Sequence, residues 1–257
     1  MLTNATIKEI KALHKKNFRQ EKGLFIAEGD KICREMLQSK YSIVGIYALE
    51  SWLKENENLL SNHKNTSITE KELSRISTLK TPNKVLIVAE KTFTQTSDIA
   101  LKGNITLVLD NIQDAGNLGT IIRTADWFGV NNIICSPDTV ELHNPKVIQS
   151  TMGSFMRINV IHAELGKYFK EIISPTNISV YGAMLNGEKL PEVTPSKECV
   201  IIIGNESKGI SKELIPHITN KITIPAYFSN YNETKAESLN AAVATSILLS
   251  WFRMRTV

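Results

Sequence analysis

Apolar and polar positions fall in blocks along the first ninety residues, each with the period of one kind of element. Residues 5–16 have the spacing of a basic amphipathic helix. "GLFIAEGD" then predicts a short strand, and "DKICREMLQS" a helix with Ile32, Met36 and Leu37 on one face. "SIVGIYAL" is a strand and "SWLKENENLL" a helix. "TEKELSRIS" is a helix opened by Thr69, with Glu72 three positions on in capping-box spacing. "KVLIVAEK" closes the series as a strand. The alternation predicts a small α/β domain over residues 1–92.

Residues 93–103 are polar and lack a clear period, which predicts a linker. The pattern then restarts more strongly. "ITLVLD", "NNIICS", "INVIHA", "SVYGAML", "CVIIIG" and "KITIPA" predict strands. Helices are expected near 117–128, 145–156, 164–174 and 207–217, with a long last one over 238–255. Strands that are apolar almost throughout, alternating with helices, require a parallel sheet covered on both faces. Residues 104–257 therefore predict a second α/β domain.

Composition narrows the classes. The 257 residues allow one large or two modest domains, and 42% apolar with 22% charged residues is ordinary globular usage. No secretory apolar stretch follows Met1, and the run "AAVATSILLSWF" is shorter than the about 20 residues of a spanning helix. A soluble, cytoplasmic chain is expected. Cys33, Cys135 and Cys199 lie far apart without CxxC or HExxH, so neither a disulfide framework nor a metal site is expected. The net charge of +4 is localised: residues 1–22 hold Lys8, Lys11, Lys15, Lys16, Arg19 and Lys22 against Glu9 and Glu21. A basic N-terminal segment suits contact with a phosphate backbone, although lysine-rich helix faces are often only solvated.

Ligands of parallel sheets sit at the carboxyl ends of the strands. Three unusual segments lie there: "NIQDAGNLGTIIRTADWFG" (111–129), "GNESKGIS" (204–211) and "IPAYFSNYNETKAESLNAAVA" (224–244). Gly116 and Gly119 permit a tight turn or a close backbone approach. Asn117 is placed to cap a helix with its amide free for a substrate. Arg123 then stands about 9 Å further along that helix. "GNESKG" ends a strand and is expected to open a helix whose free N–H groups hold a polar ligand, with Glu206 supplying a carboxylate. Ser238 is the expected cap of the last helix. Each segment also has a structural reading: a cap, a dipole-complementing Glu206, an Arg123 paired with Asp126. Three such segments at one set of strand ends favour a site. The chain has no GxxxxGK, GxGxxG or GxSxG, and its five histidines are scattered.

"DNIQDAGNLGTIIRTADWFG", "IIIGNESKGIS" and "ITIPA…ESLNAAVA" together resemble the three ordered motifs of the SpoU (TrmH-type) RNA 2′-O-ribose methyltransferases of the SPOUT superfamily. "FIAEGDKICREML" resembles that family's N-terminal substrate-binding domain. The resemblance implies a C-terminal parallel sheet tied in a deep trefoil knot, preceded by a small α/β RNA-binding domain. It also implies a homodimer and S-adenosylmethionine as cofactor, held at Gly204, Asn205, Glu206, Ile224 and Leu239. Met184 and Leu185 would end a strand at a further cofactor-contacting turn. It assigns Asn117, Arg123, Glu206, Ser238 and Asn240 to catalysis, and ribosomal RNA is favoured over transfer RNA as substrate. A non-catalytic RNA-binding protein on this fold is the alternative, as is an oxidoreductase on a doubly wound sheet. The chain departs from the family between Ile224 and Leu239, where a longer loop carries Tyr227, Phe228 and Tyr231. That loop reads either as a tolerated insertion or as a lid or base-stacking contact.

Overall fold

A computed structural model describes residues 1–92, 99–227 and 236–256. The chain divides into two compact units, one of residues 1–93 with 141–156 and one of 94–140 with 157–257.

The first unit opens with two helices, α1 (Asn4–Ala12) and α2 (Lys16–Lys22), where one was expected over 5–16. There follow β1 (Leu24–Glu28), α3 (Asp30–Leu37), β2 (Ile43–Ala48), α4 (Glu50–Glu55), α5 (Glu57–Leu60), β3 (Asn65–Ser67), α6 (Glu70–Ile76) and β4 (Val85–Glu90). The strands form one sheet in the order β1-β4-β2-β3; only the β2–β3 pair is parallel. Thr69 and Glu72 make the expected capping box of α6. Ile7, Ile10 and Leu13 pack with Ile26, Leu73, Ile76 and Leu86, so α1 keeps its apolar stripe inward and its lysines outward.

Arg19 does not share that outward face. It is 2% exposed. Its Nε donates to Glu141 Oε1 at 2.6 Å, its second terminal nitrogen pairs with the same oxygen, and its first donates to the Leu13 carbonyl at 2.7 Å. The expectation that it contacts RNA is therefore corrected, because α2 turns this position into the unit. Lys8, Lys11, Lys15, Lys16 and Lys22 are exposed. Lys22 pairs with Glu21 at 3.1 Å and lies over the Phe18 ring.

The second unit carries β5 (Ile105–Leu109), α7 (Ala115–Trp127), β6 (Asn132–Cys135), β7 (Asn159–His162), β8 (Ser179–Lys189), β9 (Cys199–Ile203), β10 (Asn220–Thr223) and α10 (Ala241–Thr256), with α9 (Leu165–Tyr168) after β7. The remaining helix, α8 (Pro145–Thr151), belongs to the first unit. The six strands run in the order β10-β8-β9-β5-β6-β7, and every pair is parallel. β5, β6 and β9 are buried at every residue, which is what their almost wholly apolar runs required; Thr106 and Asn132 are the polar residues buried with them. The chain leaves β5 in one direction through β6 and β7, then returns on its other side through β9. The strand order thus reverses between β5 and β9, where parallel sheets open a ligand crevice.

Two further expected elements differ, both in this unit. Residues 207–217 form turns and a short 3₁₀ turn over Ile215–His217 rather than a helix. Gly209, at φ +71°, folds back so that its N–H and carbonyl bond to Asn205. β8 also continues past Met184 and Leu185, but its pairing with β9 stops at Gly182. Its pairing with β10 jumps from Lys221↔Gly182 to Ile222↔Glu188. Residues 183–187 thus stand out of the ladder as a bulge at the carboxyl edge. Cys33, Cys135 and Cys199 are buried, and burial pushes the Cys199 thiol up to about 12. Among the described residues no helix is long and apolar enough to cross a membrane, and no cluster of His, Cys, Asp or Glu could hold a metal ion.

Candidate active site

The site is built where β5 and β9 end. After β5, Asn111 takes a left-handed φ of 60°, a conformation asparagine tolerates better than most residues. Its N–H donates to Ser136 Oγ at 2.8 Å. This turns the chain into α7, whose cap is Asp114; the carboxylate accepts the Asn117 N–H at 2.8 Å. Asn117 is therefore the third residue of the helix rather than its cap, and its side chain is available for other bonds.

After β9, Gly204 faces the returning backbone of Gly209 and Ile210. A Cβ there would lie 2.5 Å from the Ile210 nitrogen, so no other residue closes this hairpin without a shift. Asn205 is spent on the same hairpin. Its Oδ1 accepts from Ser207 and Lys208 N–H at 3.0 Å each, and its Nδ2 donates to the Asn111 carbonyl at 3.0 Å. The helix N-terminus expected here is absent, because the segment is a side-chain-closed turn in which Asn205 takes the Ser207, Lys208 and Gly209 N–H groups. The neighbouring Asp110 carboxylate accepts the Ser211 N–H at 2.6 Å, locking the hairpin to β5.

The cap of α10 is Asn240 and not Ser238. Asn240 Oδ1 accepts from Ala242 and Val243 N–H at 3.0 and 3.3 Å, while Ser238 lies exposed outside the helix. An amide at the cap can donate as well as accept. Asn240 Nδ2 donates to Asn117 Oδ1 at 2.9 Å, Asn117 Nδ2 donates to Glu206 Oε1 at 2.6 Å, and the same oxygen accepts the Ala241 N–H at 3.3 Å. The half-buried Glu206 carboxylate thus sits at the positive end of α10. Asn117, Glu206 and Asn240, far apart in the chain, form one hydrogen-bonded cluster.

Arg123 lies on the exposed stripe of α7, two turns from this cluster. Among the described residues it has no hydrogen bond or ion pair. Asp126, its possible partner, is engaged by Arg157 at 2.8 and 2.9 Å. The apolar candidates fall at the same sheet edge. Ile224 follows β10 and is half-buried, Leu239 is 46% exposed just before α10, and Leu185 is exposed in the β8 bulge. Met184 packs against the core of the unit. Sequence reasoning missed Asp114 and the bridging use of Asn240; "DAGN" carries the spacing of a cap with its third residue and could have indicated the first. Tyr227 is exposed, and Phe228 and Tyr231 lie outside the described residues.

Residues 104–250 match the SpoU rRNA methylase family, and residues 4–87 match an MRM3-like substrate binding domain. The chain belongs to the SpoU rRNA methylase family. It is, by that membership, an RNA methyltransferase. A Bacillus subtilis relative named 23S rRNA (guanosine(2553)-2′-O)-methyltransferase is 30% identical over 97% of this chain and 96% of its own length. A solved TrmH-family structure from Porphyromonas gingivalis superimposes with a TM-score of 0.87 at 31% identity, covering all of both chains. An rRNA methyltransferase from Sinorhizobium meliloti, solved with S-adenosylmethionine bound, gives a TM-score of 0.87 at 29% identity over all of this chain and 97% of that one.

Proposed function

We propose that this member of the SpoU family transfers a methyl group from S-adenosylmethionine to a ribose 2′-hydroxyl of ribosomal RNA. The observation that carries the reading is the Asn117–Glu206–Asn240 cluster at the switch between β5 and β9, with Arg123, unpartnered among the described residues, on the adjoining helix face. The B. subtilis relative, similar along nearly its whole length, supports ribosomal RNA over transfer RNA. The reading includes the family's knotted C-terminal fold and an N-terminal RNA-binding domain over residues 1–92, and it places the chain in the cytoplasm.

The residues present fit the cofactor. Gly204 brings backbone close to backbone, the β8 bulge exposes main chain, and Ile224 and Leu239 offer apolar surface at the same edge. When bound, S-adenosylmethionine supplies a methyl already activated on a sulfonium. The chain positions the hydroxyl. Glu206 and Asn240 fix both ends of the Asn117 amide, leaving one N–H and one lone pair to orient the ribose. Arg123 binds a phosphate beside the target and stabilises the alkoxide that develops as the hydroxyl attacks. It is not the base, because a guanidinium stays protonated at a pKa above about 12. Mapping ribose methylation on ribosomal RNA from cells lacking the protein tests the reading: one missing 2′-O-methyl position supports it, and an intact rRNA map with a missing tRNA modification overturns the substrate.

The dimer belongs to the same proposal. α10 buries Leu248, Leu249 and Phe252 but leaves Val243 48% and Ile247 37% exposed, a second apolar stripe suited to a second copy. Sedimentation at micromolar concentration is expected to give twice the chain mass, and Val243→Glu with Ile247→Glu to give the monomer.

RNA contact by the N-terminal helices is expected to be electrostatic. Changing Lys8, Lys11, Lys15 and Lys16 to Gln should weaken RNA affinity and reduce the slope of log K against log salt by at most about 3–3.5, roughly 0.7–0.9 for each phosphate no longer neutralised. Cofactor affinity should be unchanged. An unaltered slope would mean a merely solvated face.

A further inference from the structure

α7 presents a stripe the fold does not use. Leu118, Ile121, Ile122 and Ala125 face the core, while Thr120, Arg123 and Trp127 recur three and four residues apart on the exposed side. Trp127 is 85% exposed. The other two tryptophans are held by their indole N–H groups: Trp52 is fully buried and donates to Asp30 at 2.6 Å, and Trp251 is half-buried and donates to the Val193 carbonyl at 3.4 Å. The indole N–H of Trp127 has no partner among the described residues. A side chain of this size left in water does nothing for stability where it stands.

Its surroundings are cationic. Arg123 precedes it by one turn on the same stripe. Arg253 is fixed beside the end of α7 by bonds from Nε and a terminal nitrogen to the Phe128 and Gly129 carbonyls, each 2.7 Å. Those acceptors are neutral carbonyls, and among the described residues no carboxylate pairs with it. Arg157 is paired with Asp126, the residue before Trp127, and adds no net charge, so the positive charge rests on Arg123 and Arg253. A flat aromatic face among guanidinium groups is the composition that binds single-stranded nucleic acid, with phosphates on the cations and a base on the ring. A second copy of the chain would instead bring the same guanidinium groups toward one another.

We propose that Trp127 is a base-stacking platform for the RNA substrate, taking the base of a nucleotide next to the one whose ribose is methylated. The proposal rests on the reading of the chain as an RNA methyltransferase. The helix sets the spacing: Arg123 lies about 9 Å and Trp127 about 15 Å along the axis from Asn117. A ribose at Asn117, a phosphate at Arg123 and an unstacked base at Trp127 then follow one another along the strand. Trp127 is a binding residue and takes no part in the methyl transfer itself.

Trp127→Ala and Trp127→Phe in the full chain test this, with a fluorescent single-stranded oligoribonucleotide of mixed sequence as the probe. Trp127→Ala is expected to weaken binding about tenfold, the scale of one missing stack, and Trp127→Phe to stay within about threefold of the parent. S-adenosylmethionine affinity by calorimetry and the sedimenting mass should match the parent in both. In the free protein, acrylamide should quench the Trp127 emission, and the oligoribonucleotide should protect it. Unchanged affinity in Trp127→Ala overturns the proposal. So does a loss of mass in Trp127→Ala, or a Trp127 already shielded without RNA, since either means a second copy covers the ring. Absence of methyl transfer by the parent protein would defeat the enzymatic reading while leaving the oligoribonucleotide result to be read on its own.

Discussion

Arg123→Lys is expected to lower methyl transfer to RNA by roughly 10²–10³, the scale of removing one preorganised donor from a developing oxyanion. Binding of S-adenosylmethionine and the sedimenting mass should be unaffected. Arg123 is exposed on α7 and bonds to no other side chain among the described residues, so the substitution has little structural cost. What changes is geometry: lysine keeps the charge and loses the planar fork that grips a phosphate with two bonds. Single-turnover transfer of labelled methyl, with calorimetry of the cofactor alongside, separates the outcomes. Near-normal transfer would show that any cation suffices. Lost cofactor binding would make the arginine a structural residue.

Arg19→Met is expected to destabilise the protein by about 3–5 kcal/mol, the cost of stranding one member of a buried ion pair. Glu141, only 12% exposed, would keep Lys91 at 3.9 Å as its remaining cation, and the Leu13 carbonyl would lose its donor. The contrast with the nearby lysines is the informative part. Lys8, Lys11, Lys15 and Lys16 should alter RNA affinity with little effect on stability, whereas Arg19 should do the reverse. Urea titration of Arg19→Met beside the quadruple lysine variant measures both. A midpoint within error of the parent would show that the pair contributes nothing to folding.

The two kinds of basic residue could not be told apart in the sequence, and the reason is physical. Whether a cation on a short helix faces in or out depends on where the helix breaks. The break after Ala12 rotates Arg19 inward toward Glu141, 122 residues away. No local pattern encodes that distance. The strands were legible because burial on both faces leaves a nearly continuous apolar run, as in β5, β6 and β9. The capping box at Thr69 was legible because its parts are three residues apart. The segment 207–217 was misread because its helical period is outweighed by one left-handed glycine and by the Asn205 and Asp110 side chains that claim its N–H groups. The motifs located Asn117, Glu206 and Asn240. That these three bond to each other, and that Asn240 rather than Ser238 caps α10, depended on a meeting of distant loops.

That meeting also governs when the protein becomes an enzyme. The bonds from Asn117 to Glu206 and to Asn240 close loops of 89 and 123 residues. Pairings across such separations form late, after shorter-range ones have met the entropy of closing the chain. During refolding, amide protons of β5 and β6 should gain protection from exchange before methyl transfer returns. A chain caught in that interval would have the β5–β6–β7 half of its sheet and none of its activity, its maturity marked by the docking of α10.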